Sequence, residues 1–254
     1  MQHNASTTIH ASMDAPSIPR SVMVIAAHPD DIEFGCAGTC AKWARAGAQV
    51  VYVLVTSGDI GTHDRAHTRE SLAALREEEQ RAAAAICGVQ TVIFLRYPDG
   101  EVTPSLALRK DLIRLIRTHR PEVVIALDPR RFIASDDYIN HPDHRAVGTA
   151  TLDAIAPAAA MPLLYPELGE PHRVREVWIQ WAEDANVWID ISETLELKLE
   201  ALRAHRSQID ESTIERVRRR AYEAGRGLCP AEAFRVIRLV REPAPNEDSP
   251  SARM

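Results

Sequence analysis

Residues 22–38 read VMVIAAHPDDIEFGCAG. Six apolar residues in a row, 22–27, describe a strand covered on both faces, as in a parallel sheet between helices. The loop that follows such a strand usually carries turn residues or, in nucleotide binders, glycines. Here it carries His28, Asp30 and Asp31, an imidazole and two carboxylates close enough to repel one another unless a positive charge sits among them.

Outward from this point, strands and helices alternate. Apolar runs at 50–56 (VVYVLVT), 91–95 (TVIFL) and 122–127 (EVVIAL) read as further strands. Between them lie helix patterns at 35–47, at 67–88 with Gly88 as a stop, and at 104–119 with Pro104 in the first turn. Another helix begins near His141. Strand patterns at 176–181 and 186–191, a helix over 192–208 capped by Ser192, and a last strand at 235–240 complete the series. Repeated βα units predict an α/β, Rossmann-like fold, a mostly parallel sheet with helices on both faces. Ligands of such folds bind beyond the carboxyl ends of the strands, which brings the loops after the first and fourth strands into one cleft. The expected organisation is one domain over 20–241 between disordered tails at 1–19 and 242–254.

Composition narrows the function classes. A formal charge of −6 argues against a general nucleic-acid or anionic-membrane binder, and 5% aromatic residues leave little for base stacking. The longest apolar-looking stretch, 154–165, is broken by Pro157 and Pro162, too short to insert in a membrane. Residues 1–19 lack the apolar core of a signal peptide. The four cysteines, at 36, 40, 87 and 229, read as buried free thiols in a reducing compartment. A cytoplasmic protein is expected, with a homo-oligomer left open.

The acidic loop excludes a dinucleotide site, because Asp30 and Asp31 would put negative charge where a pyrophosphate should sit. A divalent cation resolves the repulsion, and histidine with carboxylate favours zinc over calcium or magnesium. Catalytic zinc takes three protein ligands and keeps a place for water. The loop after the fourth strand supplies candidates in NHPDHRAVG, residues 140–148, namely His141, Asp143 and His144. Each histidine alone would pass for a surface residue or a helix cap. Two His-Pro-Asp tripeptides at the ends of two strands favour a metal site.

These paired motifs, AHPDDIEFGCAG and HPDHRAVG, resemble those of the zinc-dependent PIG-L/LmbE-type de-N-acetylases. TSGDIG (56–61), REEEQRAAAAICGV (76–89), YPDG (97–100) and LRAHRSQ (202–208) support the resemblance, which runs from about residue 21 to 206. It implies a hydrolase that removes acetyl from an N-acetylglucosamine-type sugar or conjugate. His28, Asp31 and His144 would then be zinc ligands and Asp30 the general base. His141 would stabilise the oxyanion or act as general acid, with Asp143 orienting it and keeping it charged. Many members place Glu directly after the Asp pair; here Ile32 follows and Glu33 comes one later.

The resemblance also matches Arg76 and Asp99 to substrate-hydroxyl positions. An ion pair of Arg76 with Glu77 or Glu79 is the competing expectation, and Asp99 in Tyr-Pro-Asp-Gly is equally a turn residue. Asp59, His63 and Asp64 could line the cleft, with His63 better read as a solvated loop residue. The segment 128–140, DPRRFIASDDYIN, reads as a lid or specificity loop, with Asn140 its best candidate for a hydrogen bond to metal site or substrate. Arg130 and Arg131 could attract an anionic aglycone. His205 is expected in packing or a subunit contact. Two other functions stay open: an amidase on a thiol conjugate or non-sugar N-acyl compound, and a catalytically silent, metal-dependent sugar-binding module.

Overall fold

The computed structural model describes residues 17–240. The tails expected at 1–19 and 242–254 therefore lie outside the described residues, apart from 17–19. The first strand, β1 (Ser21–Ala26), is followed by α1 (Asp31–Gly35), α2 (Ala37–Arg45), β2 (Gln49–Thr56), α3 (Arg69–Ile86) and β3 (Thr91–Tyr97). Then come α4 (Leu106–His119), β4 (Val123–Leu127), the short strands β5 (Ile133–Ser135) and β6 (Tyr138–Ile139), and α5 (Pro142–Ile155). The series ends with β7 (Glu176–Gln180), β8 (Val187–Asp190), α6 (Leu195–Arg203), α7 (Glu211–Ala224) and β9 (Ala231–Arg238).

Seven strands form one sheet in the order β3-β2-β1-β4-β7-β9-β8, and β5 and β6 pair separately as a hairpin. Five neighbours, β3 through β7, run parallel, while β9 lies antiparallel to both β7 and β8. The alternation of a strand divides β1 between two cores. Val22, Val24 and Ala26 join one core with α2 and α6; Met23, Ile25 and Ala27 join the other, with α4 and α5. β2 and β4 flank β1, so the chain order reverses at β1, and the carboxyl ends of β1 and β4 frame the crevice where this architecture places its ligands.

Several local expectations shift. The helix expected at 35–47 is two: α1 begins inside the acidic loop at Asp31, and α2 follows a break at Cys36. Pro104 precedes α4 without entering it, because Ser105 accepts the Leu108 N–H and is the cap. Thr194, not Ser192, occupies the cap of α6; Ser192 turns its hydroxyl to Asp190. α6 stops at Arg203, leaving His205 beyond it. The last strand begins at Ala231, four residues earlier than the pattern suggested. Among the cysteines, 36, 40 and 87 are buried, Cys229 is half-buried and all four are free thiols. No described helix is long and apolar enough to cross a membrane.

One glycine sets how closely the site's helix approaches the sheet. A Cβ on Gly148 of α5 would lie 2.6 Å from the carbonyl oxygen of Leu127, at the end of β4. Backbone cannot yield as a side chain tip can. Gly148→Ala is expected to lower stability by about 1–3 kcal/mol. Urea denaturation with an unshifted midpoint would show that α5 packs less closely than this.

Candidate metal centre

Asp31 opens α1 and folds its side chain back over the end of β1. Its Oδ2 accepts the main-chain N–H groups of Ala27 (3.1 Å) and His28 (2.9 Å). That fixes Oδ1, which lies 3.0 Å from His144 Nε2. His28 Nδ1 sits 3.2 Å from the same His144 nitrogen. The partners of each ring settle which nitrogens are available. Asn140 Oδ1 accepts from His144 Nδ1 at 2.8 Å, which leaves the Nε2 lone pair free. Asp99 Oδ1 meets His28 Nε2 at 3.0 Å, which leaves Nδ1 free.

Two imidazole lone pairs and one carboxylate oxygen thus converge, with ligand atoms from His28, Asp31 and His144 all within 4.8 Å of one another. His28, Asp99, His141 and Asp143 are similarly close. That second group is a buttress. Asp143 accepts the Gly100 N–H (2.8 Å) and the Val102 N–H (3.2 Å), and both carboxylates face the nitrogen of His28 that points away from the first group. The first group fits a divalent metal; the second holds one of its ligands.

The electrostatics have the same origin. Burial opposes a charge on His28, but Asp143, Asp31 and Asp99 outweigh it and raise the ring well above its ordinary pKa. Burial likewise opposes ionisation of Asp31, yet His144 and His28 hold its carboxyl well below the usual range. A cation is the natural occupant of such a cluster.

Asp30 stands apart from this set. It caps α1 in the left-handed region, φ 93°, a conformation that costs a residue with a Cβ about 1–3 kcal/mol and is least unfavourable for Asp and Asn. Its N–H donates to Gln80 Oε1 (3.0 Å), Gln80 Nε2 donates to Glu33 Oε1 (2.9 Å), and Glu33 Oε2 meets His205 Nε2 at 3.2 Å. Glu33 and His205 are both fully buried, so His205 packs inside the molecule and is no subunit contact. Burial pushes the Asp30 carboxyl up to about 6, against the pull of Arg76.

The residues expected at the substrate are committed to the site itself. Arg76 is buried and donates to the carbonyls of Gly58 (3.0 Å) and Pro29 (2.7 Å) and to Asp30 Oδ2 (3.1 Å). The alternative pairings do not form: Glu77 takes Ser57, Arg81 and Arg96, and Glu79 takes Ser207. Asp99 holds His28, and Asn140 holds His144 while donating to Arg131 O at 2.7 Å. Asp59 Oδ1 accepts the Asp99 N–H (3.2 Å) and so steadies that loop, whereas His63 and Asp64 are exposed.

His141 differs from expectation in charge and orientation. It caps α5, its Nδ1 accepting the Asp143 main-chain N–H at 3.2 Å. The Asp143 carboxylate is 3.9 Å from that nitrogen, beyond hydrogen-bond reach. Burial and the neighbouring His28 push the ring below its usual pKa, and with Nδ1 accepting the Asp143 N–H the ring proton falls on Nε2.

Sequence reasoning missed Gln80 and Trp181. Gln80 lies one helical turn after Arg76 on the same face of α3, a spacing that could have revealed it. Trp181 comes just after β7, its ring 5.4 Å from that of His144; only the end of a strand next to the crevice hinted at it.

A buried three-donor cluster beside a second, half-buried carboxylate, at the switch point of a mostly parallel sheet, defines an α/β protein with a centre able to hold a metal. The PIG-L pattern, described as GlcNAc-PI de-N-acetylase, matches residues 23–155. The diacetylchitobiose deacetylase of Thermococcus kodakarensis is 34% identical over 199 residues, 77% of this chain and 73% of that protein. A probable N-acetyl-α-D-glucosaminyl L-malate deacetylase of Bacillus anthracis is 31% identical over 223 residues, covering 81% and 88%. The crystal structure of N,N'-diacetylchitobiose deacetylase from Pyrococcus horikoshii superimposes with a TM-score of 0.81 at 30% identity, over 90% of this chain and 88% of that one. The chain belongs to the PIG-L family.

Proposed function

We propose that this protein is a zinc-dependent hydrolase that removes the acetyl group from an N-acetylglucosamine-type sugar or conjugate, releasing acetate and a free amine. The observation that carries the reading is the division of labour among carboxylates: Asp31 faces the two available imidazole nitrogens, while Asp30 is half-buried beside them and held by Arg76 and Gln80. A pure sugar binder has no use for that second carboxylate.

His28 Nδ1, Asp31 Oδ1 and His144 Nε2 would hold the ion. Zinc held there would supply Lewis acidity, lowering the pKa of a bound water to about 7 and polarising the acyl oxygen. Asp30 accepts the proton of the attacking water and passes it to the leaving nitrogen, so one carboxylate serves as base and then acid. Burial raises its pKa, which favours a carboxylate that must both take and return a proton. His141, protonated on Nε2, donates to the oxyanion that develops on the acyl oxygen, an interaction worth roughly 10²–10³ in rate. Arg76 and Gln80 position Asp30; Asp99 and Asn140 position the two histidines. A cytoplasmic location, supported by the free thiols, belongs to the same proposal.

The test is amine release from a panel of N-acetyl sugars and non-sugar N-acyl compounds, with metal content measured on the same preparation. Release confined to the non-sugar compounds would replace the sugar reading by the amidase one, and sugar binding without release would leave the binding module.

The pH dependence follows from Asp30. Only its ionised form accepts a proton, and its pKa is raised, so turnover falls as pH drops through that value. A bound cation lowers it, which puts the acid limb of kcat/KM at or below about 6. Metal content measured at each pH separates loss of the base from loss of the ion. With metal fully retained, an acid limb that is unchanged in the residual activity of Asp30→Asn would belong to another group and remove Asp30 from the role.

A further inference from the structure

Glu33 and His205 lie behind the metal centre, outside the proposed chemistry. Both are fully buried, and Glu33 Oε2 meets His205 Nε2 at 3.2 Å. The other ring nitrogen, His205 Nδ1, is buried with no hydrogen-bond partner among the described residues. An apolar residue would fill that space without the cost of an orphaned nitrogen and an enclosed carboxylate. The effect of the pair is visible at the far end of its hydrogen bonds, where α3 grips the peptide group between Pro29 and Asp30 on both sides. The carbonyl of that peptide accepts from Arg76 Nη2 at 2.7 Å, and its N–H donates to Gln80 Oε1 at 3.0 Å. Its orientation gives Asp30 the left-handed φ of 93°, in which the carboxyl meets Arg76 and stays out of the three-donor cluster.

Gln80 can hold that N–H only with its oxygen. Its amide would fill the same space turned round, and what forbids the turn is Glu33, whose Oε1 accepts from Gln80 Nε2 at 2.9 Å. α1 places Ile32 in the core and leaves Glu33, one turn after Asp30, to face α3. Glu33 in turn is aimed by His205, which is itself fixed just beyond α6. The His205 carbonyl accepts the N–H groups of Gln208 (3.0 Å) and Ile209 (2.9 Å). Two residues on, Ser207 donates from its N (2.8 Å) and its Oγ (2.7 Å) to Glu79 of α3. One short segment, 205–207, thus grips both the helix that Asp30 caps and the helix that holds Asp30.

We propose that His205 and Glu33 are positioning residues for the base. His205 aims Glu33, and Glu33 fixes which end of the Gln80 amide meets the Asp30 N–H. The chain thereby holds the Asp30 carboxyl towards the water it deprotonates. The proposal rests on the deacetylase reading and deepens it at the same site, since each member acts through Asp30.

Two amide replacements separate this role from packing. Gln carries a donor near the position of Nε2 and still reaches Glu33; Asn carries one near Nδ1 and does not. The assay uses zinc-loaded protein and the best substrate of the acetyl panel. His205→Gln is expected to keep kcat within about threefold of the parent, whereas His205→Asn loses about tenfold or more. KM should stay within about twofold and zinc content at the parental level in both, because substrate and metal contacts are untouched. Added to Asp30→Asn, His205→Asn should cost no more than about a further twofold, since no base is left to position. Equal kcat in the two amide variants, or a loss that persists in full beside Asp30→Asn, assigns the pair to packing and overturns the proposal. If His205→Asn does not fold, Gln80→Met cuts the same chain at its last link with His205 and Glu33 in place. A loss of about tenfold in kcat then supports the proposal, and parental kcat overturns it. If no compound releases amine, the deacetylase reading fails, and hydrogen exchange at the Asp30 main-chain N–H still decides the positioning. Exchange about tenfold faster in His205→Asn than in the parent and His205→Gln supports it; equal exchange in all three overturns it.

Discussion

Asp30→Asn is expected to lower kcat by about 10²–10⁴ while metal content stays at the parental level. The substitution keeps the shape of the side chain, and Asn tolerates the left-handed backbone that Asp30 adopts at φ 93°, so the turn entering α1 is retained. The N–H to Gln80 is main chain and survives. What disappears is the lone pair that takes a proton, together with the charge facing Arg76 Nη2 at 3.1 Å. Because Asp31, not Asp30, faces His28 and His144, metal and activity should separate. If they fall together, Asp30 is a ligand. If the variant hydrolyses at the parental rate, Asp30 has no part in proton transfer.

His144→Ala should give the largest loss of metal. It removes the nitrogen on which the other two donors converge, at 3.0 Å from Asp31 Oδ1 and 3.2 Å from His28 Nδ1. Disturbing only a partner of a ligand typically weakens metal binding by about 10–100-fold; losing the ligand itself should exceed that and abolish turnover. The same change leaves Asn140 Oδ1 without its donor, although Asn140 Nδ2 still anchors to Arg131 O. Circular dichroism checks that α5 remains folded. Undiminished zinc after dialysis would take His144 out of the ligand set.

How much of this was legible in the sequence depended on what surrounds each residue. The parallel half of the sheet was readable because strands buried on both faces are unbroken apolar runs, as in β1, β2 and β4. α7 was missed because it buries little besides Ile214, Val217 and Ala221 in a segment otherwise dense with charge. The metal cluster was legible because its residues stand in two compact loops at strand ends. The layer behind it was not, since Gln80, Arg76 and Glu79 look like a solvated helix face until the fold buries them. Asp99 and Asn140 illustrate the limit. The family resemblance pointed to Asp99, and its place in the loop before the second motif to Asn140, but neither could say that their polar atoms face His28 and His144.

The most direct measurement is a zinc titration of chelator-treated protein, following amine release from N,N'-diacetylchitobiose. The rate should be negligible without metal, rise in proportion to zinc added and level off at about one ion per chain, with acetate and amine formed in equal amounts. Amine release that is undiminished by chelation, or a fully zinc-loaded protein that deacetylates no N-acetyl sugar, would contradict the account.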